Sequence, residues 1–140
     1  MSVFWRNWLT VWGWAVALFG LALAGAGLAA TDGPTRLLFG VLNGPEALVL
    51  NAQMRFAMAL MGAVTFGWAL TLLVTFDAAH RLGAAGGAIW RGVIVSAATW
   101  YVIDSGLSIA TGFGLNAVSN TLLMAGLLLP LLASGVLRRA

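Results

Sequence analysis

The chain has 140 residues, of which 61% are hydrophobic and 8% charged, with a formal net charge of +3. Soluble domains carry about a quarter charged residues, so this composition excludes a globule covered by water, and the mean hydropathy of +0.98 agrees. Cysteine is absent and His80 is the single histidine, which excludes disulfides, thiol redox work and Cys- or His-built metal centres; no cofactor is expected.

The 7 cations are all arginine. They are scattered at the ends of apolar runs and form no basic stripe, so the pI near 11.2 does not signal a nucleic-acid partner. Arginine without lysine, together with abundant Ala, Gly and Trp, suggests GC-rich bacterial coding and hence a bacterial inner membrane.

The first apolar run is Trp8 to Ala30 and carries no charge. A helix needs about 20 such residues to cross roughly 30 Å of hydrocarbon. Arg6 ahead of it and the small residues Gly25 to Ala30 also resemble a signal peptide, but the run is longer than the usual apolar core of about 7–15 residues. Trp5, Trp8 and Trp12 share one helical face near the boundary. They read either as an interfacial belt or as an aromatic platform for a flat ligand. Ala22, Ala26 and Ala30, with Gly25 and Ala29 beside them, suggest close helix packing.

Residues 31–55 form a long connection outside the membrane. Asp32-Gly33-Pro34 is a turn signal, and Thr35 to Leu42 is a short apolar stretch suited to the interface. Asn43-Gly44-Pro45-Glu46 reads as a helix start, which predicts one helix from Pro45 to Gly83. The second span lies within it, at 56–76. The third, 92–114, holds one charge, Asp104, and the fourth is 117–137. In the fourth, Pro130 removes a backbone donor and presses on the carbonyl of Gly126, so a kink is expected there. No alternating strand pattern of a barrel appears, and no internal repeat is visible.

The expected fold is therefore all-α: one integral membrane domain over residues 1–140, a four-helix transmembrane bundle with both termini inside. Arg6, Arg81, Arg91, Arg138 and Arg139, with His80, flank the inner ends. Arg36 and Arg55 in the first connection are balanced by Asp32 and Glu46, which fits the positive-inside rule.

Asp104 is the residue with chemical promise, since acids within spans usually face the bundle interior. Ser105, Ser108 and Thr111 extend a polar stripe along its helix, with Ser96, Trp100 and Tyr101 further along. A tight turn centred between Ala84 and Ala85 sets Thr65 level with Asp104. A turn near Phe113 sets Met124 level with it and Asn120 one turn outward. Arg55 then lies ten residues from that level, about 15 Å away, so it is expected at the outer boundary, meeting headgroups, Asn51 or carbonyls of the 111–116 turn. With no cation at its depth an ionised carboxylate would be costly, so the neutral acid is expected, bonded to Ser108, Thr65 or Asn120. Two readings stand side by side: a proton, cation or ligand site, and a carboxyl that only ties helices together. Asp77 and Arg91 are expected to pair across the second connection, and His80 to be solvated there.

Arg55-Phe56 opening the second helix, followed by Gly62 and Gly67, resembles small bacterial four-helix membrane proteins of the DoxX-like type. That resemblance implies an accessory or partner subunit of a membrane redox system. Size and a lone membrane acid also resemble small multidrug transporters, but their acid lies in the first helix, and the first helix here has none.

Three functions follow in order. The first is a non-catalytic accessory or scaffold subunit whose partners are membrane lipids and other transmembrane helices. The second is a small transporter or carrier of a lipophilic or cationic solute, with Asp104 as its site. The third, an enzyme, would need a nucleophile, base or metal set; one Asp and one distant His do not supply it, so no catalytic activity is expected.

Overall fold

The computed structural model describes residues 1–42, 44 and 47–137, and every regular element among them is helical. In chain order these are α1 (Val3–Ala24), α2 (Gly33–Leu42), α3 (Ala52–Leu82), α4 (Gly87–Ala110) and α5 (Gly114–Ala133), with 3-10 turns at Gly25–Gly27 and Gly83–Gly86. Three stretches are long and apolar enough to cross a membrane: Val3–Gly27, Ala52–Ala110 and Gly114–Ala133. The second of them contains both α3 and α4.

Local chemistry sets the helix ends. The amide of Trp5 reaches the Ser2 hydroxyl at the start of α1, and the Asn51 side chain accepts from Met54 N at the start of α3. These are N-cap bonds that satisfy first-turn donors. Residues 47–50 are not helical, so the helix predicted from Pro45 begins instead at Ala52; Asn43, Pro45 and Glu46 lie outside the described residues. The end at Gly83 agrees with the expectation, and its φ of 58° is why glycine stands there. α1 starts and stops earlier than the 8–30 run, because the backbone tightens at Gly25 and turns. α4 and α5 likewise sit a few residues N-terminal to the 92–114 and 117–137 runs.

α1 and α3 run antiparallel at backbone contact. A Cβ on Gly20 would stand 2.6 Å from Phe66 N, and one on Gly62 would strike the backbone of Ala24 and Gly20. Small residues allow such an approach. The contact face within α1 is thus Gly13, Ala17, Gly20 and Ala24; of the Ala22–Ala26–Ala30 row, Ala26 is buried beside Met58 and Ala30 is exposed, because the helix ends before that row is complete.

Trp12, Phe76, Trp90, Leu127 and Leu131 centre the main buried core. A second, smaller core of Leu23, Ala26 and Met58 sits under α2. Outside these cores large apolar side chains stand exposed along every long helix: Val11 at 69%, Val74 at 71%, Val102 at 66% and Leu122 at 70%.

Candidate functional site

Polar side chains gather where α4 meets α5. α4 stops at Ala110; Gly112 takes φ 86° and Phe113 N donates to Ser108 O at 2.8 Å, the left-handed C-cap that turns the chain into α5. This turn sets Asn116, in the first turn of α5, beside Ser108 and Asp104. Asp104 Oδ1 accepts from Ser108 Oγ and from Asn116 Nδ2, each at 3.3 Å, and Asn116 Nδ2 also reaches Ser108 Oγ at 2.8 Å. Oδ2 takes no hydrogen bond among the described residues, and the Asp104 side chain is half-buried. One turn along, the buried Asn120 donates to Ser105 Oγ at 3.3 Å.

Ser108 therefore meets Asp104. Asn120 does not, because the closing turn brings Asn116 nearer and leaves Asn120 level with Ser105. Thr65 makes no hydrogen bond to Asp104; it lies half-buried on α3, three residues from Trp68. The turn placement between α3 and α4 holds at the aromatic positions, where Trp68 and Trp100 pack with ring centroids 5.7 Å apart. Asn116 carries an amide in the first turn after Phe113 and was the partner that level arithmetic missed: near a turn, neighbours are set by the cap rather than by straight helices.

The Arg55 side chain has no hydrogen bond to Asp104 among the described residues, and it meets neither Asn51 nor the 111–116 turn. Its Nη2 meets Asp32 Oδ2 at 2.9 Å and its Nη1 donates to the Ala26 carbonyl at 2.9 Å. Arg36 grips the same carboxylate through both oxygens, at 2.9 and 3.0 Å. Asp32 is buried between them. The Arg36 hydrogen bonds first, and the Arg55 bond second, hold its carboxyl below the ordinary value of 3.8, against the opposing effect of burial. Thr35, fully buried, donates to Ala22 O at 2.7 Å. These contacts fasten α2 over the ends of α1 and α3. The sequence shows opposite charges in this connection, but not that one acid bridges two arginines.

Asp77 does not pair with Arg91. It meets Arg81, four residues on along α3, at 2.7 Å. Phe76 and Trp90 occupy the facing positions, stacked at 5.7 Å, so Asp77 and Arg91 turn outward on their own helices and the i,i+4 neighbour is within reach. His80 is not simply solvated. It is half-buried, with Nε2 3.0 Å from Met1 Sδ and its ring edge-on to Trp90.

Two tryptophans of α1 bond across to α5. Trp8 Nε1 donates to Gly126 O at 2.8 Å and Trp12 Nε1 to Leu123 O at 3.0 Å. Pro130 has no N–H, so the Gly126 carbonyl is the one its own helix cannot satisfy; Trp8 supplies the missing donor. α5 runs on through Pro130 to Ala133. An open apolar groove of about 440 Å³ lies beside this contact, lined by Trp8, Leu122, Gly126, Leu129 and Leu132 among others.

Compared with protein-family models, curated proteins and solved structures, the chain matches none.

Proposed function

We propose that this chain is a non-catalytic integral membrane protein of the bacterial inner membrane, an accessory or scaffold subunit that binds lipids and partner transmembrane helices. α1, α3, α4 and α5 are its four spans, both termini are cytoplasmic, and α2 lies at the outer surface. The observation that carries this reading is the inversion of the usual surface. Large apolar side chains are exposed on every long helix, and no buried side-chain polar atom among the described residues lacks a partner. A bilayer is the solvent in which that surface is stable, since backbone polar groups are closed within helices. The groove beside Trp8 is apolar and suits an acyl chain. The DoxX-like resemblance adds the accessory role.

The acid and the histidine lie too far apart to act on one substrate. His80 packs on Trp90, and Asp104 lies fourteen residues further along α4, roughly 21 Å at 1.5 Å per residue. Membranes from cells expressing the chain test the reading. It should stay in the pellet after an alkaline carbonate wash and leave only with detergent, in a complex larger than the lone chain on native gels. Release by the wash would reject membrane integration, and a lone chain on native gels would reject the accessory role.

A further inference from the structure

We propose that the apolar groove beside Trp8 holds one acyl chain of an anionic phospholipid of the inner leaflet. The proposal rests on the membrane reading above and names the lipid.

The size and place of the groove select its occupant. Its volume is about 440 Å³, and Trp8, Ala125, Gly126 and Leu129 line it between Leu122 and Leu132. Ten residues of helix separate those two leucines, about 15 Å along the axis. That is half of the roughly 30 Å of hydrocarbon, the depth of one leaflet. α5 ends at Ala133, next to Leu132. In the proposed topology the groove therefore opens at the inner surface and stops near the bilayer midplane. A helix is about 10 Å across, so one laid along this length would displace roughly 1,200 Å³, well over twice the groove. An extended acyl chain is a single file of methylenes and fits. Ala125 and Gly126 leave room for it between the leucines. The Trp8 indole is fixed to the Gly126 carbonyl at 2.8 Å, so one wall is set before a chain arrives, and a preformed wall lowers the ordering cost of binding.

The headgroup follows from one free donor and from charge. Trp5 packs edge-on to Trp8, ring centroids 6.1 Å apart, and lies about one turn nearer the inner end of α1. Its indole N–H, unlike those of Trp8 and Trp12, makes no hydrogen bond among the described residues. A ring with an apolar body and a free N–H suits the depth of the lipid's ester and phosphate oxygens. Arg6, Arg81 and Arg91 lie at the same end; Asp77 is the acid there, and Arg81 already neutralises it. Arg138 and Arg139 follow α5 in the sequence. An excess of arginine beside the inner leaflet attracts anionic headgroups. A zwitterionic headgroup has no net charge and gains little from that excess.

The test compares phosphatidylglycerol with phosphatidylcholine of the same acyl chains. The full chain, reconstituted in nanodiscs of an equal mixture, is moved into detergent, and native mass spectrometry counts the lipid that stays bound. Wild type should retain one phosphatidylglycerol, at least tenfold more often than phosphatidylcholine. Ala125 is exposed, so Ala125→Phe lays a ring in the groove without entering the core, and should lower retention tenfold or more. Leu129→Ala removes part of the lining and should lower it severalfold. Trp5→Phe keeps a ring, loses the donor and should also lower it severalfold. Circular dichroism establishes that each variant is folded. Equal retention by wild type and folded Ala125→Phe, equal retention of the two lipids, or no retained lipid on folded, inserted wild type would overturn the site. In that last case the scaffold reading stands, because insertion is measured separately by the carbonate wash; release by that wash would sink the membrane reading instead.

Discussion

At Asp32 one carboxylate holds two guanidinium groups, and its carboxyl is held below 3.8 in the fold. A group with a depressed folded pKa contributes stability that is fully present above its unfolded value and is lost as pH falls through the folded value. α2 should therefore be held fast at neutral pH and loosen below about pH 4. Amide exchange across Thr35–Leu42 between pH 6 and pH 3 reads this directly, and Asp32→Asn should show the loosened pattern at every pH. Exchange that is equally slow in both proteins at neutral pH would mean that Thr35 and the apolar contacts hold α2 unaided. Trp8 and Pro130 form a second residue-scale couple. Trp8→Phe removes the donor to the Gly126 carbonyl and should cost about 1 kcal/mol, the typical net value of such a bond. Pro130→Ala restores an intrahelical donor to that carbonyl, so Trp8→Phe should cost less in the Pro130→Ala background, with a coupling of about 0.5–1 kcal/mol. Additive losses in reversible unfolding would reject the capping role.

Among the elements, α1 and α3 are held by approach rather than by side-chain volume. Gly62 and Gly67 sit on the same helix five residues apart, and only Gly62 meets anything: a Cβ there strikes the backbone of Ala24, while one at Gly67 meets nothing within 4 Å. Gly62→Ala should destabilise by about 2 kcal/mol or more through overpacking. Gly67→Ala should be neutral or stabilise by up to about 1 kcal/mol through helix propensity. Thermal unfolding in detergent separates the two, and matched losses would show that the contact face is misassigned. The same pair marks what was legible in the sequence. Apolar runs and the stop at Gly83 revealed the long helices, because period and glycine punctuation are local signals. Which glycine touches a neighbour is not local; it depends on the rotation of α1 about its axis, and of the alanine row at 22, 26 and 30 only Ala26 is fully buried, beside Met58 of α3. The candidate site divides in the same way. Asp104 and Ser108 share a helix, and their spacing alone sets them together. Asn116 required the cap at Gly112, and the outward turn of Asp77 and Arg91 required knowing that Phe76 and Trp90 take the facing positions.

For the molecule as a whole, the antiparallel order of α1, α3, α4 and α5 sets the start of α1 and the end of α5 on the same side as the α3–α4 turn. Arg6, Arg81 and Arg91 lie at that end, and Arg138 and Arg139, outside the described residues, follow α5. The end under α2 holds Arg36 and Arg55 with Asp32 between them. A reporter that is active only in the cytoplasm should therefore work when fused after residue 137 and fail when inserted after Gly40, an exposed glycine of α2 where a Cβ would meet nothing within 4 Å. The opposite pattern would invert the topology.

The indole of Trp8 on the Gly126 carbonyl also bears on the order in which the chain is built. α1 leaves the ribosome first and α5 last, so the donor is in place before the carbonyl that needs it is made. A chain cut into two co-expressed pieces between α4 and α5 would still offer α5 a finished docking partner. Synthesis of α5 without α1 would leave the Gly126 carbonyl, four residues before Pro130, with neither an intrahelical donor nor the indole.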